Sequence, residues 1–554
     1  MESTMRWMLF LAAACAAATV QADQAAGLLV GAEIRTLAPD RPAAEALAWD
    51  AEGRLLAVGS TDALVQRWSD APRTDARGRV VVPGLIDAHA HVMGLGFALL
   101  NADLAGADSV EEVLARLRRH ARNLPDGAWL RGRGWDQTRW ESGEFPTAAD
   151  LDDAFPDRPV LLDRVDGHAA WANSAAMRRV GRDLTGDWQP EGGHVQRDAD
   201  GRPTGVFIDK AVAVFEDAIP APGEAEKALA LDRALAHMAA HGLTGVHDAG
   251  TSLDTLRRLL HREAAGKLTI RVHALADGDA GALEALCRLG PVDTPRVTAR
   301  GVKFYADGAL GSRGAALLED YHDDPGNRGL LFESDEAMQR LVDKAMGCGL
   351  QLAIHAIGDR ANRQVIDVLA AGQRRFPDNP GRHRIEHAQI VHPDDIPRIA
   401  EAGLIASMQP THATSDMRWA ADRLGDERLF GAYAWQRMRQ AGARLAFGSD
   451  FPVEKVDPML GLYAAVTRQD LDGEPPGGWL PDQRVTMQVA LEGFTVDAAW
   501  AGFAEDDVGS LDVGKYADFV VLDRDPFAVA AERIPDIRVL RTVVGGETVY
   551  AAAD

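Results

Sequence analysis

The chain has 554 residues and a formal net charge of −24, a length that accommodates about three or four domain-sized units and a large apolar core. Its 46% hydrophobic and 26% charged residues are those of an ordinary globular protein, not of a disordered or fibrous one. So acidic a balance excludes a non-specific nucleic-acid binder, which needs a basic footprint.

In chain order, Arg6 precedes an almost unbroken apolar run from Trp7 to Val20, followed by Gln21-Ala22. A short apolar core with Val20 and Ala22 at its end has the pattern of a secretory signal peptide, too short to span a bilayer. Cleavage after Ala22 is expected, leaving a mature protein from Asp23 in the periplasm or outside the cell, free of the membrane. An uncleaved anchor is the alternative; lipidation at Cys15 is disfavoured because Ala12 lacks the bulk expected there. Cys15 leaves with the signal. Cys287 and Cys348 fall on apolar faces of predicted helices, and two cysteines in so large a chain do not make a disulfide framework. Buried thiols are expected.

From Leu28 to Val82 short alternating runs are broken by turn residues: Leu28 to Arg35, Ala46 to Trp49, Leu55 to Val58, Val80 to Val82. A matching set recurs at the other end, at Gly509 to Val513, Asp518 to Leu522, Ile537 to Thr542 and Glu547 to Tyr550. Neither set has enough strands for a core of its own. Residues 23–82 and 490–554 are therefore expected to build one composite β-sandwich.

The stretch between them, 83–489, alternates strands and helices. Eight strands are predicted: Leu85 to His91, Thr244 to Asp248, Thr269 to Ala274, Gly301 to Tyr305, Gln351 to His355, His383 to His387, Ile405 to Gln409 and Leu445 to Asp450. Amphipathic stretches such as Glu224 to Ala240, Glu336 to Cys348, Asn362 to Gln373 and Pro393 to Ala402 separate them. This is the pattern of an α/β chain closed into a (β/α)₈ TIM-like barrel. One connection, of about 150 residues, is too long for a simple crossover. Residues 102–222 are read as an inserted subdomain with five of the twelve tryptophans (Trp129, Trp135, Trp140, Trp171, Trp188). It leaves the C-terminal end of strand one, where barrel enzymes keep their chemistry, so it is expected as a lid or pocket wall; the alternative is that these tryptophans only build its own core.

Strand one ends in His89-Ala90-His91. Alternate strand residues face one side, so both imidazoles point into one space, and imidazole is the commonest metal ligand. Alone the pair is weak evidence. But Lys303 lies in strand four, His355 ends strand five, His387 ends strand six and Asp450 ends strand eight, so all six converge on the barrel mouth. His89, His91, Lys303, His355, His387 and Asp450 are the candidate metal centre. The N and O donors suit Zn²⁺ first, with Mn²⁺, Fe²⁺ or Co²⁺ as alternatives. Weaker candidates for substrate contacts are His168 in the insertion, Asp307, and Arg313 in the glycine-rich loop after strand four. His168 could instead be structural, and Arg313 could close its loop through a salt bridge. Asp248 is a candidate support behind the ligands. His247, His273, His383, His392 and His412 offer no arguable partner and read as structural or rim residues. Gly308-x-x-Gly311 lacks the following Lys-Ser/Thr of a phosphate loop.

These residues resemble the amidohydrolase superfamily, and Gly132-Arg133-Gly134-Trp135-Asp136, Asp166-Gly167-His168-Ala169-Ala170-Trp171-Ala172-Asn173, Lys303-Phe304-Tyr305-Ala306-Asp307-Gly308 and Gly448-Ser449-Asp450-Phe451-Pro452 resemble its N-substituted formamide deformylase or YtcJ-like branch. The resemblance covers essentially the whole mature chain, including the tail Gly509-Ser510-Leu511-Asp512-Val513-Gly514-Lys515-Tyr516-Ala517-Asp518. It implies hydrolysis of a non-peptide C–N bond in a small-molecule amide through water activated by one or two divalent ions, with Asp450 as the catalytic proton carrier. It also implies that Lys303 is carboxylated to bridge two metals; the alternative is a plain Lys303 paired with Asp450 or Asp307 beside one ion. An ester or lactone hydrolase, or a ligand-binding barrel that has lost catalysis, are the rival readings. The oligomeric state stays open between a monomer and a homo-oligomer.

Overall fold

The computed structural model describes residues 24–122, 124–164, 169–190 and 193–553. The apolar leader with its expected cleavage site lies outside the described residues, and so does His168. The chain divides into two compact units, one of the residues up to Val92 and from Leu235 onward, the other Met93–Ala234.

The larger unit contains the barrel. Its strands are Leu85–Ala90, Leu243–Thr251, Arg271–Asp277, Val297–Tyr305, Gln351–Ala356, Arg384–His387, Ile405–Met408 and Arg444–Phe447, each hydrogen-bonded in parallel to the next. Short buried runs form these strands, since a parallel strand is covered on both faces. Ladder pairing stops at strand eight, but the ring is drawn together at its rim. Asp450 N donates to His89 O at 2.8 Å and His91 N to Phe451 O at 2.9 Å. Asp87 accepts from Ser449 N at 3.1 Å and Ser449 Oγ at 2.6 Å. Strands eight and one approach so closely at Gly448 that a Cβ there would lie 2.5 Å from His89 N, so only glycine fits.

The crossover helices begin where the sequence supplies caps. Ser252 accepts from Thr255 N before Leu253–Ala264, Asp279 from Ala282 N before Ala280–Leu289, and Ser334 from Ala337 N before Asp335–Gly347. Strand four begins earlier than expected, at Val297, and strand eight ends earlier, at Phe447, leaving Asp450 in the turn that follows. The expectation of two buried thiols is corrected. Cys287 and Cys348, both part-exposed, are joined in a disulfide across Cα atoms 5.1 Å apart. They lie near the ends of the helices that follow strands three and four, and the barrel sets those helices side by side.

Two further sheets complete this unit. One has four strands in the order Leu55–Gly59, Ala46–Trp49, Gly27–Val30, Arg73–Asp75. The other has six, in the order Glu547–Ala551, Val539–Val544, Phe519–Leu522, Val80–Pro83, Glu33–Ala38, Arg41–Ala44. In the second sheet Phe519–Leu522 runs antiparallel to Val80–Pro83, with Val520 opposite Val82. Leu29, Ile34, Leu47, Val81, Phe519 and Val543 share one buried core drawn from both chain ends. Gly509–Val513, expected as a strand, has no ladder partner among the described residues; instead Leu511 N donates to Thr36 O at 2.8 Å.

The smaller unit is built on a six-stranded sheet in the order Gly193–Arg197, Pro203–Asp209, Ala169–Ala172, Val160–Arg164, Leu130–Trp135, Ala102–Asp103. Its tryptophans build its own cores: Trp135, Trp140 and Trp171 lie in one, with ring centroids 6.0–6.3 Å apart, and Trp129 and Trp188 flank the other. Their indoles are satisfied locally, Trp135 Nε1 donating to Leu162 O at 2.8 Å and Trp171 Nε1 to Thr147 O at 2.7 Å. Among the described residues no helix is long and apolar enough to cross a membrane.

Candidate metal centre

Strand one places Asp87, His89 and His91 on one face. Asp87 holds the strand against Ser449, as above, and accepts from His89 N at 3.1 Å. His89 is fully buried and donates Nδ1–H to Glu386 Oε2. Glu386 is itself gripped by Arg384, Nε to Oε1 at 2.7 Å and Nη2 to Oε2 at 3.1 Å. A carboxylate on Nδ1 fixes the imidazole tautomer and leaves the Nε2 lone pair free. That nitrogen faces Lys303 Nζ at 3.4 Å and Asp450 Oδ1 at 3.6 Å. His91 Nε2 is 3.0 Å from the same Asp450 oxygen. Asp450 Oδ1 is buried, and among the described residues its contacts with these imidazoles do not make a geometrically well-formed hydrogen bond.

Strands five and six supply the second half. His387 Nδ1 donates to Gln409 Oε1 at 2.8 Å, again leaving Nε2 free. Its ring lies 4.8 Å from His89 and 4.6 Å from His355, centroid to centroid. His355 Nε2 is buried without a hydrogen bond among the described residues, 3.5 Å from Asp307 Oδ1. His387 and Asp450 both adopt left-handed backbone, φ 73° and 62°. For residues with a Cβ that conformation costs about 1–3 kcal/mol each and is kept where a site requires it.

The electrostatics favour electron-pair donors. Burial, with Lys303 adding repulsion, lowers His89 to about 4 and His355 to about 3, and burial beside His355 and His89 holds His387 well below the ordinary imidazole value. All three imidazoles are therefore neutral at pH 7. Burial would raise the Asp450 carboxyl, but contact with His91 and the fields of His89, His387 and His412 outweigh it and hold it well below the usual carboxylate range. Glu386, pushed up by burial, is held down more strongly by Arg384 and His89. Burial lowers Lys303 against the pull of Glu386 and Asp450. The donor atoms of His89, His91 and Asp450 lie within 4.8 Å of one another, and so do those of His387, His412 and Asp450. Neutral imidazoles, an ionised carboxylate and orphaned buried donor atoms fit a divalent ion of the Zn²⁺, Mn²⁺, Fe²⁺ or Co²⁺ type.

All six residues of the predicted centre thus meet at one rim. The remaining candidates are held by partners of their own, Asp307 and Arg313 in the loop after strand four and Asp248 behind His91. Asp307 is occupied by backbone amides, accepting from Ala316 N and Gly358 N at 2.8 Å and Ile357 N at 3.0 Å. It ties the loop after strand four to the end of strand five, and burial pushes its carboxyl up to about 7. Arg313 is committed to Asp323, Nη2 to Oδ2 at 2.8 Å and Nε to Oδ1 at 3.1 Å, and so closes its own loop instead of offering a substrate contact. Asp248 accepts from Val92 N at 2.7 Å and Thr251 Oγ1 at 2.6 Å, anchoring the residue after His91. Three residues were missed: Glu386 and Arg384, legible only once strand six is known to face His89, and His412, three residues past Gln409 on the strand-seven rim. His412 lies on the short helix that follows strand seven, so the strand-end rule does not select it.

The comparisons agree with this geometry. The model of the amidohydrolase family matches residues 74–550. The YtcJ protein of Bacillus subtilis (strain 168) is 34% identical over 508 residues, covering 90% of this chain and 94% of its own. The N-substituted formamide deformylase of Arthrobacter pascens is 30% identical, covering 94% of this chain and 98% of its own. Among solved structures, an uncharacterized metal-dependent hydrolase from Pyrococcus horikoshii OT3 superposes with a TM-score of 0.75 at 31% identity, over 91% of this chain and 99% of that one. With His and carboxylate donors gathered at the mouth of a parallel barrel, the chain belongs to the amidohydrolase family and is a metal-dependent hydrolase of carbon–nitrogen bonds.

Proposed function

We propose that the protein is an exported amidohydrolase that cleaves a non-peptide amide, N-formyl or cyclic amide bond of a small molecule. The observation that carries this reading is Asp450, whose ionised carboxylate stands between the His89/His91 pair and the His387/His412 pair with Oδ1 lacking a hydrogen-bond partner among the described residues. A divalent ion held by such donors lowers the pKa of water from 15.7 to about 7 and polarises a carbonyl oxygen. Asp450 takes the proton of the attacking water and returns it to the leaving nitrogen. Glu386 and Gln409 keep His89 and His387 in the tautomers that leave Nε2 free. The name of the Arthrobacter pascens relative supports an N-substituted formamide among the substrates to test. Export is supported by the apolar run before Asp23 and by the Cys287–Cys348 disulfide, a bond typical of oxidising compartments.

We also propose a carboxylated Lys303. Its Nζ is fully buried beside His89, where the neutral amine is favoured. The neutral nitrogen adds to the carbon of CO₂ and loses a proton, giving an anionic carbamate with two oxygens. The test of the main reading is turnover of matched N-formyl, N-acyl and cyclic amides beside the corresponding esters and lactones, with the Zn²⁺-loaded protein. Amide turnover is expected. Turnover of esters alone would replace this reading by the ester one, and inactivity on the whole panel would refute hydrolysis of these classes.

A further inference from the structure

Strand seven is followed by Gln409 and the short helix Pro410–Asp416, which carries His412. The His412 ring stacks on His387, 20° between planes and 5.9 Å between centroids. Its Nε2 is buried, has no hydrogen-bond partner among the described residues, and lies 3.7 Å from Asp450 Oδ2. Leaving such a group unsatisfied costs about 1–3 kcal/mol, a cost that is recovered if a ligand atom meets it.

The Asp450 carboxylate is divided between its neighbours. Oδ1 faces His91 and His89, at 3.0 and 3.6 Å, while Oδ2 faces His412. His89 and His387 have their Nδ1–H held by Glu386 and Gln409, which leaves Nε2 as a lone pair; His412 has no such hydrogen bond at Nδ1 among the described residues, so its proton is free to sit on Nε2, where an N–H is attracted to the ionised carboxylate. His412 thus offers Nε2–H beside the group that handles the proton. The helix beneath it is held from the far side: Tyr433 Oη donates to Asp416 Oδ2 at 2.5 Å, and Gln389 Nε2 donates to Tyr433 Oη at 2.7 Å. The imidazole thus sits on a fixed support, as a preorganised donor must.

We infer that His412 is a further catalytic residue, donating Nε2–H to the carbonyl oxygen of the scissile bond as that oxygen becomes an anion. The inference rests on the amide-hydrolase reading above and deepens it. As the water oxygen bonds to the carbonyl carbon, the π electron pair moves onto the carbonyl oxygen and the water's proton passes to Asp450. When the C–N bond breaks, its pair leaves on nitrogen, the Asp450 proton follows it, and the carbonyl re-forms. His412 keeps its own proton throughout and is a hydrogen-bond donor, not an acid or base. Loss of one such donor lowers kcat by about 10²–10³-fold.

The test compares wild type, His412→Ala and His412→Gln, each Zn²⁺-loaded, on an amide and its thioamide counterpart, with bound metal counted by elemental analysis. Sulfur is a poor hydrogen-bond acceptor, so the donor matters less for the thioamide. The expected result is a kcat loss of about 10²–10³-fold for His412→Ala on the amide, a much smaller loss on the thioamide, unchanged metal content, and partial recovery in His412→Gln. Loss of a metal equivalent would make His412 a ligand and overturn the inference. Equal losses on both substrates, or none, would overturn it too. If the wild type cleaves only esters, the amide reading fails by itself, and the same comparison on an ester and its thionoester still decides the role of His412.

Discussion

Glu386→Gln is the most informative single perturbation of this site. Arg384 and Glu386 are both 0% exposed in their side chains, so the neutral amide would leave a guanidinium buried without its counter-charge. Removing one partner of a buried ion pair costs about 3–5 kcal/mol. In either orientation the amide NH2 faces a donor, Arg384 Nε if the oxygen stays at the Oε2 position and His89 Nδ1 if it turns to the Oε1 position, so the His89 tautomer is less firmly fixed. Loss of such a support lowers metal affinity about 10–100-fold. The companion variant Arg384→Met with Glu386→Leu removes both charges, and apolar replacement of a buried pair is often close to neutral. Here some cost remains, because Arg384 also donates to His247 Nδ1 at 2.7 Å and Ser407 Oγ at 2.9 Å. Urea unfolding of the single and double variants, with zinc titration of each, measures both effects. The double variant should be at least about 2 kcal/mol more stable than the sum of the single losses predicts. A Glu386→Gln loss below about 1 kcal/mol, or losses that simply add, would refute the reasoning.

Breaking the Cys287–Cys348 bond with two serines releases a separation of 61 residues, which by loop entropy costs about 4 kcal/mol; thiol titration of exported, denatured protein should find no free thiol, and two would refute the disulfide. His383 is held at about 4 by burial, and its Nδ1 accepts from Leu352 N at 3.1 Å. The unfolded chain therefore binds its proton first, so its share of stability is intact above about pH 6.5 and lost as pH falls through 4; His383→Gln should flatten the stability–pH slope in that window by one proton, and an unchanged slope would show that His383 does not titrate there. Lys303→Ala should lose one metal equivalent and regain part of its activity with added short carboxylic acids; full metal and full turnover in Lys303→Arg would exclude the carbamate.

The barrel and the six residues of its rim were legible because strand alternation and the strand-end rule read directly from local sequence. The disulfide was not: the barrel order makes the helices after strands three and four neighbours, but it does not say that Cys287 and Cys348 face each other across them. Nor could the fates of Asp307 and Arg313 be read, since each is decided by a partner the chain brings to it, backbone amides in one case and Asp323 in the other.

Glu386 and His387 show the limit most clearly. Neighbours on a regular strand point to opposite sides, so alternation would send one of this pair out of the barrel. Both reach the same imidazole: Glu386 accepts from His89 Nδ1, and the His387 ring lies 4.8 Å from the His89 ring. The left-handed turn at His387, φ 73°, ends the strand and swings the ring back over the mouth. Asp450 is delivered in the same way, three residues past strand eight at φ 62°. His412 enters from a helix, where strand periodicity no longer applies. The strands therefore fix where the centre is, and the departures from strand geometry at their ends decide which atoms face it. Those departures carry a backbone cost of about 1–3 kcal/mol apiece, supported by the buried contacts around them, among them the Gln409 bond to His387 and the Asp87–Ser449 bonds beside Asp450.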